Sequence, residues 1–352
     1  MENKSFSALH QTKKESPKIQ LSRSGLKRPS SLGFSLAPPN VKMSEDSLSS
    51  EGKRSRMLPP MPSPSLGLAK LDLVSPTYIP ENTSVGLKNV RNTILVLSGK
   101  GGVGKSTVTA QLAICLWKQG LKVGVLDVDI CGPSIPRMLG LRNKEIRQCN
   151  EGWLPVIADP GHGRLKVVSL EFLMVDNKDC AIIWRGPRKS GMIAQMMGTA
   201  VCWGDLDVLL VDTPPGTSDE HISSIEWSKN NPQYKNKLTG AIIVTTPQRV
   251  SLIDVRKEIN FCECNEVKIL GLIENMSGYK CEHCDECNFV FSHGGGEELA
   301  KEKALHFLGR IPIIKDIVEV LDSDKSFLEK SVYENKEFTQ IAEYLEANYL
   351  KK

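Results

Sequence analysis

Beyond residue 90 the chain alternates between short apolar runs and longer segments whose apolar positions recur at helical spacing. Val, Ile and Leu fill the runs at 93–97, 122–127, 165–170, 208–212, 240–245 and 267–273, with another run near 307–311. Apolar on both faces, these runs predict parallel strands covered by helices on each side; a sheet with one wet face would alternate instead. Segments 107–118 and 249–262 have the length of such covering helices. Residues 337–349 place Phe338, Ile341, Tyr344 and Leu345 on one stripe opposite an acidic face, which predicts a helix docked on the core. Together the elements predict a doubly wound, mostly parallel α/β domain.

The first part of the chain differs. It is rich in Ser, Pro, Lys and Arg, has no sustained apolar period, and contains stretches such as Leu58-Pro59-Pro60-Met61-Pro62-Ser63-Pro64-Ser65. Such a segment buries too little apolar surface to offset its ordering entropy. The expected organisation is a disordered, basic, Ser/Pro-rich extension over 1–85 and a folded domain over 86–352. Charge follows that division: residues 1–88 carry thirteen Lys/Arg against seven Asp/Glu, although the whole chain is only +4. The folded part is therefore slightly acidic, which argues against a nucleic-acid groove. No apolar run approaches the ~20 residues of a membrane span, so no membrane is expected as a partner. Ten cysteines without a secretory apolar stretch point to a reducing, cytoplasmic setting, where clustered thiols bind metal rather than pair.

The chemistry concentrates at the C-terminal ends of the expected strands. Ser98-Gly99-Lys100-Gly101-Gly102-Val103-Gly104-Lys105-Ser106-Thr107 follows the first apolar run and opens a helix. Its glycines let consecutive N–H groups turn toward one anion at a helix N-terminus. Gly99 to Thr107 then cradle the phosphates of a nucleoside triphosphate, with Lys105 on the β/γ-phosphates and the Ser106 hydroxyl on Mg²⁺. After the second strand, Asp127 and Asp129 form a carboxylate pair; Asp129 is expected to position the attacking water and Asp127 to assist at the metal. The run 208–212 ends in Asp212, a second holder of Mg²⁺, and in the Pro214-Pro215-Gly216 turn, placed to sense a γ-phosphate. Asn275 reads either as the residue that recognises adenine or as a turn former.

A thiol cluster lies further on: Cys281, Cys284 and Cys287 at C-x-x-C-x-x-C spacing. Two-residue gaps let successive sulfurs converge on one centre. A structural zinc would need a fourth ligand, with His283 or His293 at hand, and a 4Fe–4S cubane needs four thiolates. One chain supplies the fourth only if Cys262 or Cys264 folds nearby, whereas two chains giving a pair each make four. Cys115, Cys180 and Cys202 read as core or boundary residues.

The phosphate loop resembles the deviant Walker A group, which includes MinD/ParA proteins, the nitrogenase iron protein and the Mrp/NBP scaffolds, because of its second lysine, Lys100. Lys100 to Ser106, Asp127-Val128-Asp129-Ile130-Cys131-Gly132-Pro133-Ser134, Trp184 to Lys189, Asp212 to His221 and Thr245-Thr246-Pro247-Gln248 together resemble the Mrp/NBP family of Fe–S cluster scaffold P-loop ATPases over residues 85–330. The match is closest to the family's shorter eukaryotic cytosolic scaffold subunit. The resemblance implies a homodimer, or a heterotetramer with the longer Mrp/NBP partner, with Lys100 reaching the partner's nucleotide. It implies a labile 4Fe–4S cluster bridged by Cys281 and Cys284 of two subunits, with Cys287 a third thiol beside them. Slow ATP hydrolysis would gate assembly or transfer of the cluster to cytosolic and nuclear apo-proteins, with targeting factors as further partners. Glu282 stands where the family usually has Pro, and the long basic extension is atypical. The competing reading is a MinD/ParA-like positioning ATPase with a structural zinc site, but the chain ends with only Lys351 and Lys352 as basic residues, not with a basic amphipathic helix.

Overall fold

The computed structural model describes residues 85–350, apart from 130–131, 160, 174–185, 199, 218–220, 222–224, 226–236, 281–286, 324 and 329–334. The expected extension over 1–85 lies outside the described residues but for Val85. In chain order the elements are β1 (Val90–Leu97), α1 (Lys105–Lys118), β2 (Val123–Asp127), α2 (Ile135–Met138), β3 (Arg147–Gln148), β4 (Trp153–Leu154), β5 (Val156–Ile157) and β6 (Leu165–Ser169). Then follow α3 (Gly186–Met197), β7 (Leu206–Asp212), β8 (Leu238–Thr245), α4 (Arg249–Cys264), β9 (Ile269–Lys280), β10 (Cys287–Asn288), α5 (Gly295–Glu302), β11 (Phe307–Ile313), α6 (Lys315–Leu321) and α7 (Lys336–Tyr349).

Nine strands form one sheet in the order β10-β9-β8-β1-β7-β2-β6-β5, with β11 also on β9. Every pairing from β11 through β6 is parallel, and only β5 and β10 run against their neighbours. The continuous apolar runs thus bury both faces as expected; within β1 only Arg91 reaches solvent. Because β1 lies mid-sheet, the loop that follows it stands at the middle of the carboxyl edge, where open α/β sheets place their ligands. In register, Asp212 of β7 lies beside Val96 of β1 on one side and Asp127 of β2 on the other.

Strand β9 and helix α4 both run past the C-terminal limit that the apolar pattern predicts. Strand β9 continues to Lys280, although apolarity lapses at Glu274, because β11 pairs with it from Leu272 to Tyr279 and β10 pairs with Tyr279 and Lys280. Helix α4 reaches Cys264, which is exposed, while Cys262 points into the core, where burial pushes its thiol up to about 12. Inward-facing and neutral, Cys262 is no metal ligand in this packing. Cys115 on α1 is likewise a core residue, its thiol raised to about 11 by burial. Helix α7 buries Phe338, Ile341, Ala342 and Leu345, while Tyr344 is half-buried and stacks on His306 at 4.3 Å. Its Asn335 cap accepts from the amides of Glu337 and Phe338 at 3.0 and 3.4 Å, satisfying two orphan donors of the first turn. Among the described residues no helix is long and apolar enough to cross a membrane.

Glu258 lies on the buried face of α4, where neither carboxylate oxygen has a hydrogen-bond partner among the described residues, and burial pushes its carboxyl up to about 7. The folded chain therefore keeps a proton that the unfolded chain releases between about pH 4.5 and 7, so stability falls as pH rises through that window. In urea titrations Glu258→Gln should match the parent at pH 4 and exceed it by about 3 kcal/mol at pH 8. A difference that stays constant with pH would mean that Glu258 is ionised and paired in the fold.

Candidate functional site

The loop from Gly99 to Thr107 owes its path to backbone geometry at two glycines. Gly102 and Gly104 have φ of 78° and 82°, in the left-handed region that a side chain disfavours. Gly104 is the residue before α1, so the helix begins with Lys105 and its N-terminus faces the loop. Neighbours also press on the loop. A Cβ on Gly99 would come within 2.6 Å of the Asp254 backbone in α4, and one on Gly104 within 2.3 Å of Asn275 Nδ2. The Asn275 amide donates to the Val103 carbonyl at 2.9 Å, so this residue of β9 supports the loop from beneath. Lys100 makes a long 3.5 Å contact from Nζ to Gln248 Oε1, beyond the end of β8.

The centre of the site is the Asp212 carboxylate, which has no exposed surface. Lys105 Nζ donates to Oδ1 at 2.7 Å, Thr109 Oγ1 donates to Oδ1 at 2.8 Å, and Ser106 Oγ donates to Oδ2 at 2.6 Å. Lys105 itself is 6% exposed, so this is a buried ion pair with both oxygens of the acid engaged. Asp127 is equally deep; it accepts from the Asp129 amide at 3.1 Å and from Ser169 Oγ at 3.2 Å. Burial, and then the neighbouring Asp212 charge, hold the Asp127 carboxyl well above the usual carboxylate range. The turn after β7 closes over the loop: the Gly216 amide donates to the Ser98 carbonyl at 2.8 Å. Thr213 Oγ1 donates to the Val96 carbonyl at 2.8 Å, which leaves its oxygen to accept from His221 Nε2 at 3.1 Å.

Next to Asn275, Glu274 forms a second buried hub that the apolar pattern gives no sign of. Its carboxylate has no exposed surface and accepts from Ser277 Oγ at 2.6 Å, the Gly296 amide at 2.6 Å and the Gly294 amide at 3.2 Å, with Arg310 Nε 3.6 Å away. It thereby supplies negative charge to the N-terminus of α5, and a Cβ on Gly296 would stand only 2.9 Å from it. Of the thiol cluster, Cys281 and Cys284 lie outside the described residues, as does His283. Cys287 opens β10 opposite Lys280, and the His293 ring lies 4.3 Å from that of Phe289.

A family model described as the NUBPL iron-transfer P-loop NTPases, of the ParA group, matches residues 89–346. The chain belongs to this family. Among curated relatives, the cytosolic Fe-S cluster assembly factor nubp2 of Danio rerio is 52% identical over 256 residues, covering 73% of this chain and 92% of the relative. The cytosolic Fe-S cluster assembly factor CFD1 of Kluyveromyces lactis is 53% identical over 250 residues, covering 70% and 85%. Among solved structures, the nucleotide-binding protein of Archaeoglobus fulgidus in complex with ADP superposes with a TM-score of 0.59 at 36% identity, covering 71% of this chain and 93% of that one.

For an iron-transfer P-loop NTPase the donor set is apt. Ser106 Oγ and the Asp212 carboxylate, 2.6 Å apart, are the hard oxygen donors that Mg²⁺ takes, and Lys105 stands beside them. Thr109, Ser169 and Glu274 are additions to the residues that motif spacing picks out, whereas His221 closes the quoted Asp212–His221 string. Thr109 had a signal, since it lies one helical turn beyond Lys105 on the same face.

Lys105→Ala should weaken ATP binding at least a hundredfold by calorimetry and also destabilise the fold by about 3 kcal/mol, because it leaves Asp212 buried and unpaired. Adding Asp212→Asn should restore most of the stability but not the binding. Equal recovery of both would mean that the lysine acts only through the fold. Gly104→Ala should weaken ATP binding more than tenfold, since its methyl group would displace Asn275 and strain the loop; unchanged affinity would show the loop to be adaptable there.

Proposed function

We propose that the protein is an ATP-dependent scaffold that assembles 4Fe–4S clusters and passes them to cytosolic and nuclear apo-proteins. The observation that carries this reading is the course of β9. The strand supports the phosphate loop through Asn275, continues to Lys280, and leads directly into Cys281. Six residues of extended chain span at most about 20 Å, so nucleotide and thiols share one short structural link. The curated relatives, named as cytosolic Fe-S cluster assembly factors at about half identity, support both the cargo and the cytosolic location.

In this reading the loop amides and Lys105 hold the nucleotide phosphates, and Ser106 and Asp212 would hold Mg²⁺, which would supply positive charge against the phosphates. Asp129 orients the attacking water, Asp127 sits beside the metal, and Asn275 turns toward the adenine. Lys100 leaves Gln248 for the partner's nucleotide when two chains meet, as a homodimer or within a heterotetramer with the longer family partner. Hydrolysis is slow because its work is conformational. Cys281 and Cys284 from each of two chains hold the cluster, with Cys287 beside them, and cargo is released when the dimer opens.

After anaerobic reconstitution the full chain should hold about two iron and two sulfide per chain, one cubane shared by two chains. Cys281→Ala/Cys284→Ala should lose both while keeping ATP affinity. One zinc per chain with no iron uptake would overturn the scaffold reading in favour of a positioning ATPase.

A further inference from the structure

At the amino end of β7, away from Asp212, the structure brings together two thiols that are 53 positions apart in the chain. Cys149 Sγ and Cys202 Sγ lie 3.7 Å from each other. Their backbones are held in place by strand-like pairing. Cys149 closes a tight turn with Gly152, its amide donating to the Gly152 carbonyl at 2.8 Å. Trp153 then pairs on both sides with the segment before β7: its amide donates to the Ala200 carbonyl at 2.6 Å, and the Cys202 amide donates to the Trp153 carbonyl at 2.8 Å. Gly152 permits this approach, since a Cβ there would stand 2.5 Å from the Ala200 oxygen and 3.4 Å from Cys202 Sγ. The contact is therefore built by the backbone and is not a chance meeting of two mobile side chains.

We propose that Cys149 and Cys202 form a dithiol site that reacts with a low-molecular-weight disulfide of the glutathione class and closes to an intramolecular disulfide. The two sulfurs differ in access: Cys149 is half-buried, whereas Cys202 is 4% exposed. Burial and the adjacent Cys149 sulfur push the Cys202 thiol up to about 12, which leaves Cys149 as the first nucleophile. The Cys149 thiolate attacks one sulfur of the small disulfide, breaking its S–S bond and expelling one small thiolate. Cys202 then attacks the Cys149 sulfur of the mixed disulfide, forming the internal bond and expelling the second small thiolate. Two protein thiols are oxidised, one small disulfide is reduced to two thiols, and the two protons pass to the departing thiolates. The starting separation is a van der Waals contact, so a small rotation of each side chain reaches bonding distance. The bond ties the turn before β4 to the entry of β7, and it involves none of the thiols at 281–287.

The test treats the reduced full chain with glutathione disulfide, blocks remaining thiols with N-ethylmaleimide, and maps tryptic peptides without reductant. The expected product joins peptide 148–164 to peptide 190–229, with a thermal midpoint that rises on oxidation and returns with dithiothreitol. Cys202→Ala should retain glutathione on Cys149, and Cys149→Ala should leave Cys202 free of it. The proposal is overturned if the 148–164 and 190–229 peptides stay unlinked, or if either cysteine joins Cys281, Cys284, Cys287 or another chain instead. Iron content is not the readout, so the result stands apart from the scaffold reading.

Discussion

Asp212 ends β7 without any exposed surface, and a carboxylate so far from water is tolerable only with its charge and both oxygens satisfied. Lys105, Ser106 and Thr109 do this, and all three come from the start of α1. Satisfying one acid therefore fixes the helix that carries the phosphate loop to the strand at its side. Desolvating the two ions costs several kcal/mol each, so the pair adds little net stability; its contribution is position. Every donor on Asp212 is also a group that a phosphate or a metal would recruit. Nucleotide chemistry and the integrity of the β1–α1–β7 unit thus draw on the same few side chains.

The same arrangement places two neighbouring acids in different surroundings. Asp127 and Asp212 stand opposite each other in register at the ends of β2 and β7. Lys105 lies against Asp212, while burial, and then the neighbouring Asp212, drive Asp127 toward the neutral form. On the other side of the loop, β9 works in two directions at once. Successive strand residues point to opposite faces. Asn275 accordingly reaches Val103 in the loop, while Glu274 reaches the amides of Gly294 and Gly296 at the start of α5.

What the sequence reveals follows from which forces act locally. Parallel strands buried on both faces write themselves as runs of Val, Ile and Leu, so β2, β6, β7 and β8 are legible within a residue or two, and β1 begins three residues before its run. Lys105 and Asp212 are 107 positions apart, yet both are legible, because each belongs to a motif for the same phosphate and metal chemistry. The second half of β9 is not legible, since Glu274, Asn275 and Ser277 are polar and their partners lie in other elements. Nor is the Cys149–Cys202 contact, which depends on the absence of a side chain at Gly152. Glu258 escapes notice for a related reason: a Glu on a helix reads as surface until the packing puts it inside.

The pairing of β9 also bears on how a nucleotide event could reach the thiols. Strand β8 pairs with β9 only as far as Glu274, whereas β11 accompanies it to Tyr279 and β10 joins at Tyr279 and Lys280. Beyond Glu274 the strand therefore leaves the β8 ladder and meets β10 only from Tyr279. It also contains Met276 at φ 56° and Gly278 at φ 92°, departures from strand geometry that bend it. The first half of β9 is locked into the sheet and anchors Asn275 under the loop. The second half exchanges the β8 ladder for β10, so its position is set by β10 and β11 rather than by the central strands. That division gives the two ends of one strand different neighbours: the central sheet beside Asn275 and the peripheral strands beside Lys280.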